Sequence, residues 1–221
     1  MRCCAFQTLI FYLLAAARSN VEAGVCRETI EMEMTQDDID FIVELHNQLR
    51  QRVASGKEYR GSPGPQPPAF YMPDLEWDEE LANVASEWAH NCEFQHDPNL
   101  RTMQMGQNLA ITFNSDRLTT PNWADAAIDQ WYSEVENVNC RTVSSLTSLQ
   151  GANDRNIGHY TQMVWAETTA VGCAAIGYTD DAIPEMPYRI LYVCNYSPQG
   201  NFIDQPIYDA DFSSYDCPEF R

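Results

Sequence analysis

The sequence predicts an α+β domain stapled by disulfides, and three observations carry that prediction. Apolar residues recur at helical spacing in the first half, two β-rich runs flank a short polar loop late in the chain, and six cysteines follow a leader-like N-terminus. Helices first and antiparallel strands late require faces of both kinds to be covered, which argues for layers rather than a parallel doubly wound sheet.

Each element follows from local chemistry. Residues 1–23 combine Arg2, an apolar run from Ala5 to Ala17 and small residues around Val21-Glu22-Ala23, and read as a cleavable signal peptide. That run is shorter than the roughly 20 residues a membrane span needs, so a secreted, soluble product is expected. What remains is long enough for one domain that buries roughly 70% of its unfolded surface.

Residues 24–34 form an N-terminal extension. Thr35-Gln36-Asp37-Asp38 then looks like a capped helix start, with Ile39, Ile42, Val43, His46, Leu49 and Val53 at helical spacing up to Ser55-Gly56. The next segment holds Pro63, Pro65, Pro67, Pro68 and Pro73 and should lack regular structure. A second helix opens at Asp78 and carries Leu81, Val84, Ala85, Trp88 and Cys92 along one stripe.

A strand is expected from Met105 to Phe113, and a third amphipathic helix from Trp123 to Val138. A polar loop from Thr142 to Gly158 leads into GHYTQMVW and the two β-rich runs, 171–178 and 189–196. Residues 207–221 read as an acidic, aromatic tail without periodicity.

Thirteen basic residues face 32 acidic ones, a net charge of −19, and removing residues 1–23 makes the chain no less acidic. Nucleic acid, heparin-like polymers and anionic lipid surfaces are poor partners for such a surface.

Cys3 and Cys4 leave with the leader; Cys26, Cys92, Cys140, Cys173, Cys194 and Cys217 remain, an even number that implies disulfides in a secreted chain. Cys173 and Cys194 are equidistant from the centre of the hairpin loop, so they face each other within disulfide reach. Cys26 with Cys92 and Cys140 with Cys217 is the residual pairing, and its alternatives stay open.

Four histidines are candidates for chemistry. His46 lies on the apolar face of the first helix and reads as a buried, hydrogen-bonded structural residue, and His90 as a solvated one. His96 follows the second helix in a loop, and His159 follows a glycine beside the polar loop; rigidly framed loops are where sites usually live. At about 100° per residue, Glu134 falls among Trp123, Trp131 and Val138. Burying an ionised carboxylate costs several kcal/mol unless a partner holds it, so a histidine, a backbone amide or a cation should face Glu134. Asn195-Tyr196-Ser197 fits the glycosylation sequon, but beside Cys194 and Pro198 an unmodified strand-end asparagine is the preferred reading.

GHYTQMVWAETTAVGC together with YVCNYSPQGN resembles two signatures of the CAP superfamily of cysteine-rich secretory, antigen 5 and pathogenesis-related 1 proteins. LHNQLR, WAHNCEFQH and MGQNLA resemble its remaining blocks, so the likeness covers about residues 36 to 206, and residues 35–206 are taken as the domain. Within the superfamily the chain looks most like the single-domain antigen 5 or venom-allergen proteins of arthropods. It implies a three-layer α-β-α sandwich with a central antiparallel sheet and a cleft where two histidines and two acidic residues converge. His96, Glu134 and His159 match three of these positions. At the fourth, Gly106-Gln107-Asn108 stands where many members have Gly-Glu-Asn, and an amide cannot act as a general base and is a poor metal ligand.

The resemblance implies a divalent ion such as zinc on His96 and His159, weak because two ligands are fewer than catalytic zinc sites use. It also implies a sterol or fatty acid, or a host protein, as partner. Trp123, Trp131, Tyr132 and Phe113 are candidates for an apolar groove, though aromatics at helical spacing are more often plain core. The expected function is non-enzymatic binding by a monomer or weak dimer. The alternative is a weak metal-dependent protease or other hydrolase, disfavoured because neither Gly-x-Ser-x-Gly nor His-Glu-x-x-His occurs. Channel block of the kind seen in reptile venom relatives is not expected, since beyond residue 195 only Cys217 could serve the added cysteine-rich domain it uses.

Overall fold

The computed structural model describes Cys26, residues 28–213, Tyr215, Cys217 and Pro218. The signal-peptide reading for residues 1–23 lies outside these.

The first helix, α1 (Gln36–Ala54), begins as its sequence demands. Thr35 accepts from the Asp38 N–H while the Asp38 carboxylate accepts from the Thr35 N–H, so two N–H groups left over at a helix start are satisfied reciprocally. α2 (Glu79–Ala89) is capped by Asp78, which accepts from the Leu81 N–H. Its buried stripe is Leu81, Ala82, Ala85 and Ala89, while Val84 and Trp88 are only half-buried. The small side chains let α2 lie close to the sheet, a choice that hydrophobicity alone does not rank.

Four strands form the order β1 (Thr29–Glu31), β4 (Ala170–Thr179), β5 (Tyr188–Ser197), β3 (Gly106–Asn114), all antiparallel; β2 (Glu76–Trp77) adds a short parallel pairing to β4. Two short helices, α3 (Leu100–Met103) and α5 (Gly158–Met163), flank β3 and β4 in the chain.

Side chains alternate across the sheet. Leu109, Ala174, Ile176, Leu191 and Val193 join Ala85 and Ala89 of α2 in one core, while Ala110, Val171, Ala175, Tyr192 and Tyr196 join Ile42, Trp131 and Tyr160 in another. The result is the α-β-α sandwich that the family resemblance implies.

The expected third helix is present but not uniform. It runs as a π turn (Ala124–Ile128), one α turn, α4 (Asp129–Ser133), and a 3-10 turn (Glu134–Asn137). Such changes of winding re-aim side chains that a constant period would place differently.

The β4–β5 register pairs Cys173 with Cys194, and the two are joined with their Cα atoms 4.1 Å apart. Cys26 is bonded to Cys92 and Cys140 to Cys217. The last bridge ties residues beyond 206 to the body: Ile207 and Tyr208 are buried, and the Tyr208 hydroxyl donates to the Pro67 carbonyl at 2.8 Å. The proline-rich connection and the C-terminal segment therefore hold each other down.

Gly172 of β4 is where α2 presses hardest. A Cβ there would lie 2.3 Å from the Ala82 nitrogen and 2.4 Å from the Asp78 carbonyl oxygen, both backbone atoms. Gly172→Ala is expected to push the start of α2 off the sheet and cost about 2–3 kcal/mol by overpacking. Urea denaturation of the variant checks this, and an unchanged midpoint would show that α2 shifts freely.

Candidate functional site

The polar residues singled out from the sequence gather beside β3, an edge strand, in two pairs. The first pair is Glu134 and His159. His159 is not in a loop: it is the second residue of α5, whose first turn presents backbone N–H groups with no partner inside the helix. Glu134 supplies one. Its Oε2 accepts from the N–H of His159 at 2.9 Å and of Tyr160 at 3.2 Å. Its Oε1 accepts from His159 Nδ1 at 2.8 Å and from Asn156 Nδ2 at 2.9 Å. The half-buried carboxylate thus has the partners its position requires, an imidazole and two backbone amides. Trp131 backs the pair, its indole N–H donating to the Leu109 carbonyl and its ring centroid 6.1 Å from that of His159.

The second pair is His96 and Gln107. His96 sits in an exposed loop fixed by the Trp88 indole N–H, which donates to the Gln95 carbonyl at 2.8 Å. Its Nδ1 lies 3.0 Å from Gln107 Oε1, which also accepts from the Asp97 N–H at 3.2 Å. Gln107 is buried, and its Nε2 donates to Asn195 Oδ1 at 3.0 Å, while Asn195 Nδ2 donates to the Leu81 carbonyl.

This chain of bonds settles both amides and one tautomer. The Leu81 carbonyl can only accept, so Asn195 turns its nitrogen there and its oxygen to Gln107, and Gln107 must turn its own oxygen to His96. His96 therefore carries its proton on Nδ1. A glutamate at 107 would oppose the Asn195 oxygen, which gives the departure from Gly-Glu-Asn a local structural counterpart.

Asn195 is fully buried with both ends of its amide engaged. It is a structural asparagine and offers no nitrogen to a glycan, so the possible glycosylation at Asn195 is not supported by its surroundings.

Sequence reasoning missed the residue that ties the first pair to the sheet. Asn108, next to Gln107 on β3, donates through Nδ2 to the His159 carbonyl at 3.1 Å and to the Tyr196 hydroxyl at 3.3 Å. The Tyr196 hydroxyl in turn contacts His46 Nε2 at 3.0 Å, and His46 Nδ1 donates to the Ile42 carbonyl at 2.8 Å. His46 is fully buried, as its place on the apolar face predicts, and burial lowers its pKa to about 4 despite the bond to Ile42. Though not itself a cleft residue, it is three hydrogen bonds from His159. Asn156 and Asn108 carried no signal beyond being polar neighbours of recognised motifs.

Consecutive side chains of a strand leave opposite faces, so Gln107 reaches the His96 ring while Asn108, on the other face, bonds the His159 backbone carbonyl. A cavity of about 230 Å³ lies beside His96, lined also by Gln107, Gln162, Gln199, Asn201 and Phe202, without His159 or Glu134. Gly106 lets the Gln162 side chain come close: a Cβ there would lie 2.0 Å from Gln162 Oε1. His90 is surface-exposed, 3.4 Å from Glu31. Trp123, Trp131 and Tyr132 are core residues, and half-exposed Phe113 is covered by the Arg189 guanidinium 4.4 Å above its ring.

A zinc ion would need lone pairs. Nδ1 of each imidazole faces an oxygen, which leaves each Nε2 as the available donor, the arrangement in which an outer oxygen orients a metal-binding ring. Glu134 has both oxygens occupied, and among the described residues no three His, Cys, Asp or Glu side chains are grouped to hold an ion. The donor set among the described residues is therefore at most one imidazole nitrogen from each histidine, fewer ligands than a closed zinc site uses.

The profile of the cysteine-rich secretory protein family (CAP) matches residues 43–196. The chain belongs to the CAP family. Among curated relatives, it is 45% identical to venom allergen 3 of Solenopsis invicta, over 84% of this chain and 77% of that one. It is 44% identical to venom allergen 5.01 of Dolichovespula maculata, over 80% and 74%. Solved structures agree: Na-ASP-1 superposes with a TM-score of 0.69 at 28% identity, over 82% of this chain and 43% of that one. NaASP2, in a crystal structure with Zn2+, gives 0.65 at 30% identity over 80% and 88%. The three disulfides among the described residues of this CAP chain fit an extracellular protein. Among the described residues no helix is long and apolar enough to cross a membrane.

Proposed function

We propose that this CAP protein is secreted and acts by binding, and that His96 and His159 take up a divalent cation through Nε2. One observation carries the reading: both imidazoles have Nδ1 against an oxygen, Gln107 Oε1 at 3.0 Å and Glu134 Oε1 at 2.8 Å, so Nε2 is the nitrogen each keeps for an ion. The zinc in the NaASP2 crystal structure supports it by relationship. A bound ion would supply charge and a bridging point for an anionic partner.

The arrangement argues against hydrolysis through an acid–base pair. Glu134 accepts four hydrogen bonds, two of them at the start of α5, and withdrawing it would uncap that helix. Gln107 has no proton to exchange at neutral pH.

Zinc titration by calorimetry tests the reading. His96→Ala and His159→Ala are each expected to lower zinc affinity at least tenfold. Asp154→Asn, outside both pairs, should leave it alone. Unchanged affinity in either histidine variant would overturn the two-histidine site.

A further inference from the structure

On another part of the molecule, the geometry points to a second binding site, independent of the histidines: an acid-rimmed apolar groove between α1, β2 and the start of α2 that takes a small organic ammonium ion with an apolar or aromatic body. Its outer part, about 510 Å³, has a floor of Ile39, Val43, Leu75 and Trp77. An inner recess of about 220 Å³ shares Ile39, Trp77 and Glu79 with it and reaches Met32, Met34 and Cys173. Both fall within the scale of small-molecule sites or just below it.

The rim decides the occupant. Asp40, Glu44, Glu76 and Glu79 line the outer groove, and neither part is lined by lysine or arginine. The hydrogen-bond partners of three are neutral: Gln36 Nε2 on Asp40 at 2.8 Å, Gln48 Nε2 on Glu44 at 2.9 Å, and the Trp77 indole N–H on Glu79 at 3.0 Å. Glu31, at the far end of the recess, faces His90 at 3.4 Å.

Asp40 and Glu44 stand one helical turn apart, a like-charge pair that destabilises a helix by itself. Charges of one sign over a low-dielectric floor reinforce each other's field and raise the local concentration of cations. A fatty-acid carboxylate would be repelled here. A simple metal ion would leave the apolar floor bare. An arylalkylammonium satisfies both: its body covers Ile39, Val43 and Leu75 while its charge lies among carboxylates beside the half-buried Trp77 ring, a favoured cation partner. Glu79 holds that indole in place through its N–H.

Calorimetric titration at low salt with 2-phenylethylammonium, 2-phenylethanol and 3-phenylpropionate tests the assignment, since the three probes share a body and differ in charge. Saturable binding of the ammonium, with the neutral and anionic probes at least tenfold weaker, is expected. The double variant Glu76→Gln/Glu79→Gln should lose at least tenfold in ammonium affinity, with zinc uptake and thermal midpoint unchanged. Equal binding of the neutral alcohol, no saturable binding of the ammonium, or an affinity indifferent to the double variant would each overturn the site. Because zinc is read separately, failure here and failure of the histidine site are distinguishable.

Discussion

Replacing Arg50 by methionine should destabilise the protein by about 3–5 kcal/mol, because several buried carbonyls lose their donor at once. Arg50 is fully buried in α1, and among the described residues its hydrogen bonds go to carbonyls rather than to a carboxylate. Its guanidinium instead donates to four carbonyls: Pro73 through Nε and Nη2, Met163 and Trp165 through Nη1, and Thr168 through Nη2. Burial pulls its pKa down to about 10, opposed by nearby Asp74, so the cation persists at neutral pH.

One side chain thus joins α1 to the segment entering β2 and to the chain between α5 and β4. Methionine fills similar volume but leaves four carbonyls without a donor, at about 1–3 kcal/mol for each that water cannot reach. Lysine keeps the charge but not the planar fork, so Arg50→Lys should recover only part of the loss. For a chain of this size each kcal/mol is about 2–4 °C, so a drop on the order of 10 °C is expected for Arg50→Met in thermal denaturation. A shift under about 2 °C would mean that water replaces the guanidinium.

Glu58 should give the second large effect, and it depends on pH. Its side chain is fully enclosed and accepts from the Arg60 side chain at 2.9 and 2.8 Å, the Arg60 N–H at 2.9 Å and the Tyr132 hydroxyl at 2.8 Å, with Arg52 at 3.2 Å. Burial alone would raise its pKa, but the bonds from Arg60 and Tyr132 outweigh it and bring it down to about 2.

A carboxylate depressed from 4.5 in this way contributes stability above pH 4.5 and loses it as the pH falls towards 2. Because the Arg52 and Arg60 guanidiniums reach solvent, that contribution is discounted to about 2 kcal/mol. Glu58→Gln should remove it at pH 7 and flatten the stability profile between pH 4.5 and 2. His46 adds an earlier step. Its native ring resists protonation down to about pH 4 while the unfolded chain takes up a proton near 6.5, so stability falls as the pH drops between those values. Urea midpoints at several pH values, for the native chain and Glu58→Gln, separate the two windows. An unaltered slope below pH 4.5 in the variant would rule out Glu58 as its source.

The elements readable in advance are those with local causes. Thr35 with Asp38, and Asp78 with Leu81, start helices because the bonds span three residues. The hairpin could be registered from its loop because strand pairing counts outward symmetrically, and Cys173 opposite Cys194 follows. Glu134 was traceable through its place among apolar neighbours, and its need for a partner through the cost of burying charge.

Elsewhere the deciding contacts join residues far apart in sequence. Tyr132 meets Glu58 across 74 positions, Asn195 reaches the Leu81 carbonyl across 114, and Arg50 reaches Thr168 across 118. No periodicity marks Glu58 as enclosed, because its burial comes from what folds over it. The same holds for Gln107: its sequence reads as a lost carboxylate, whereas the structure makes it the amide whose orientation sets the proton on His96. The sequence by itself determined the family, the helix starts, the hairpin and the identity of the polar residues beside β3. Tertiary structure alone decided that those residues form two pairs, Glu134 with His159 and Gln107 with His96, and that α1, β2 and α2 leave an acidic apolar groove, because such arrangements depend on which surfaces meet when the layers pack.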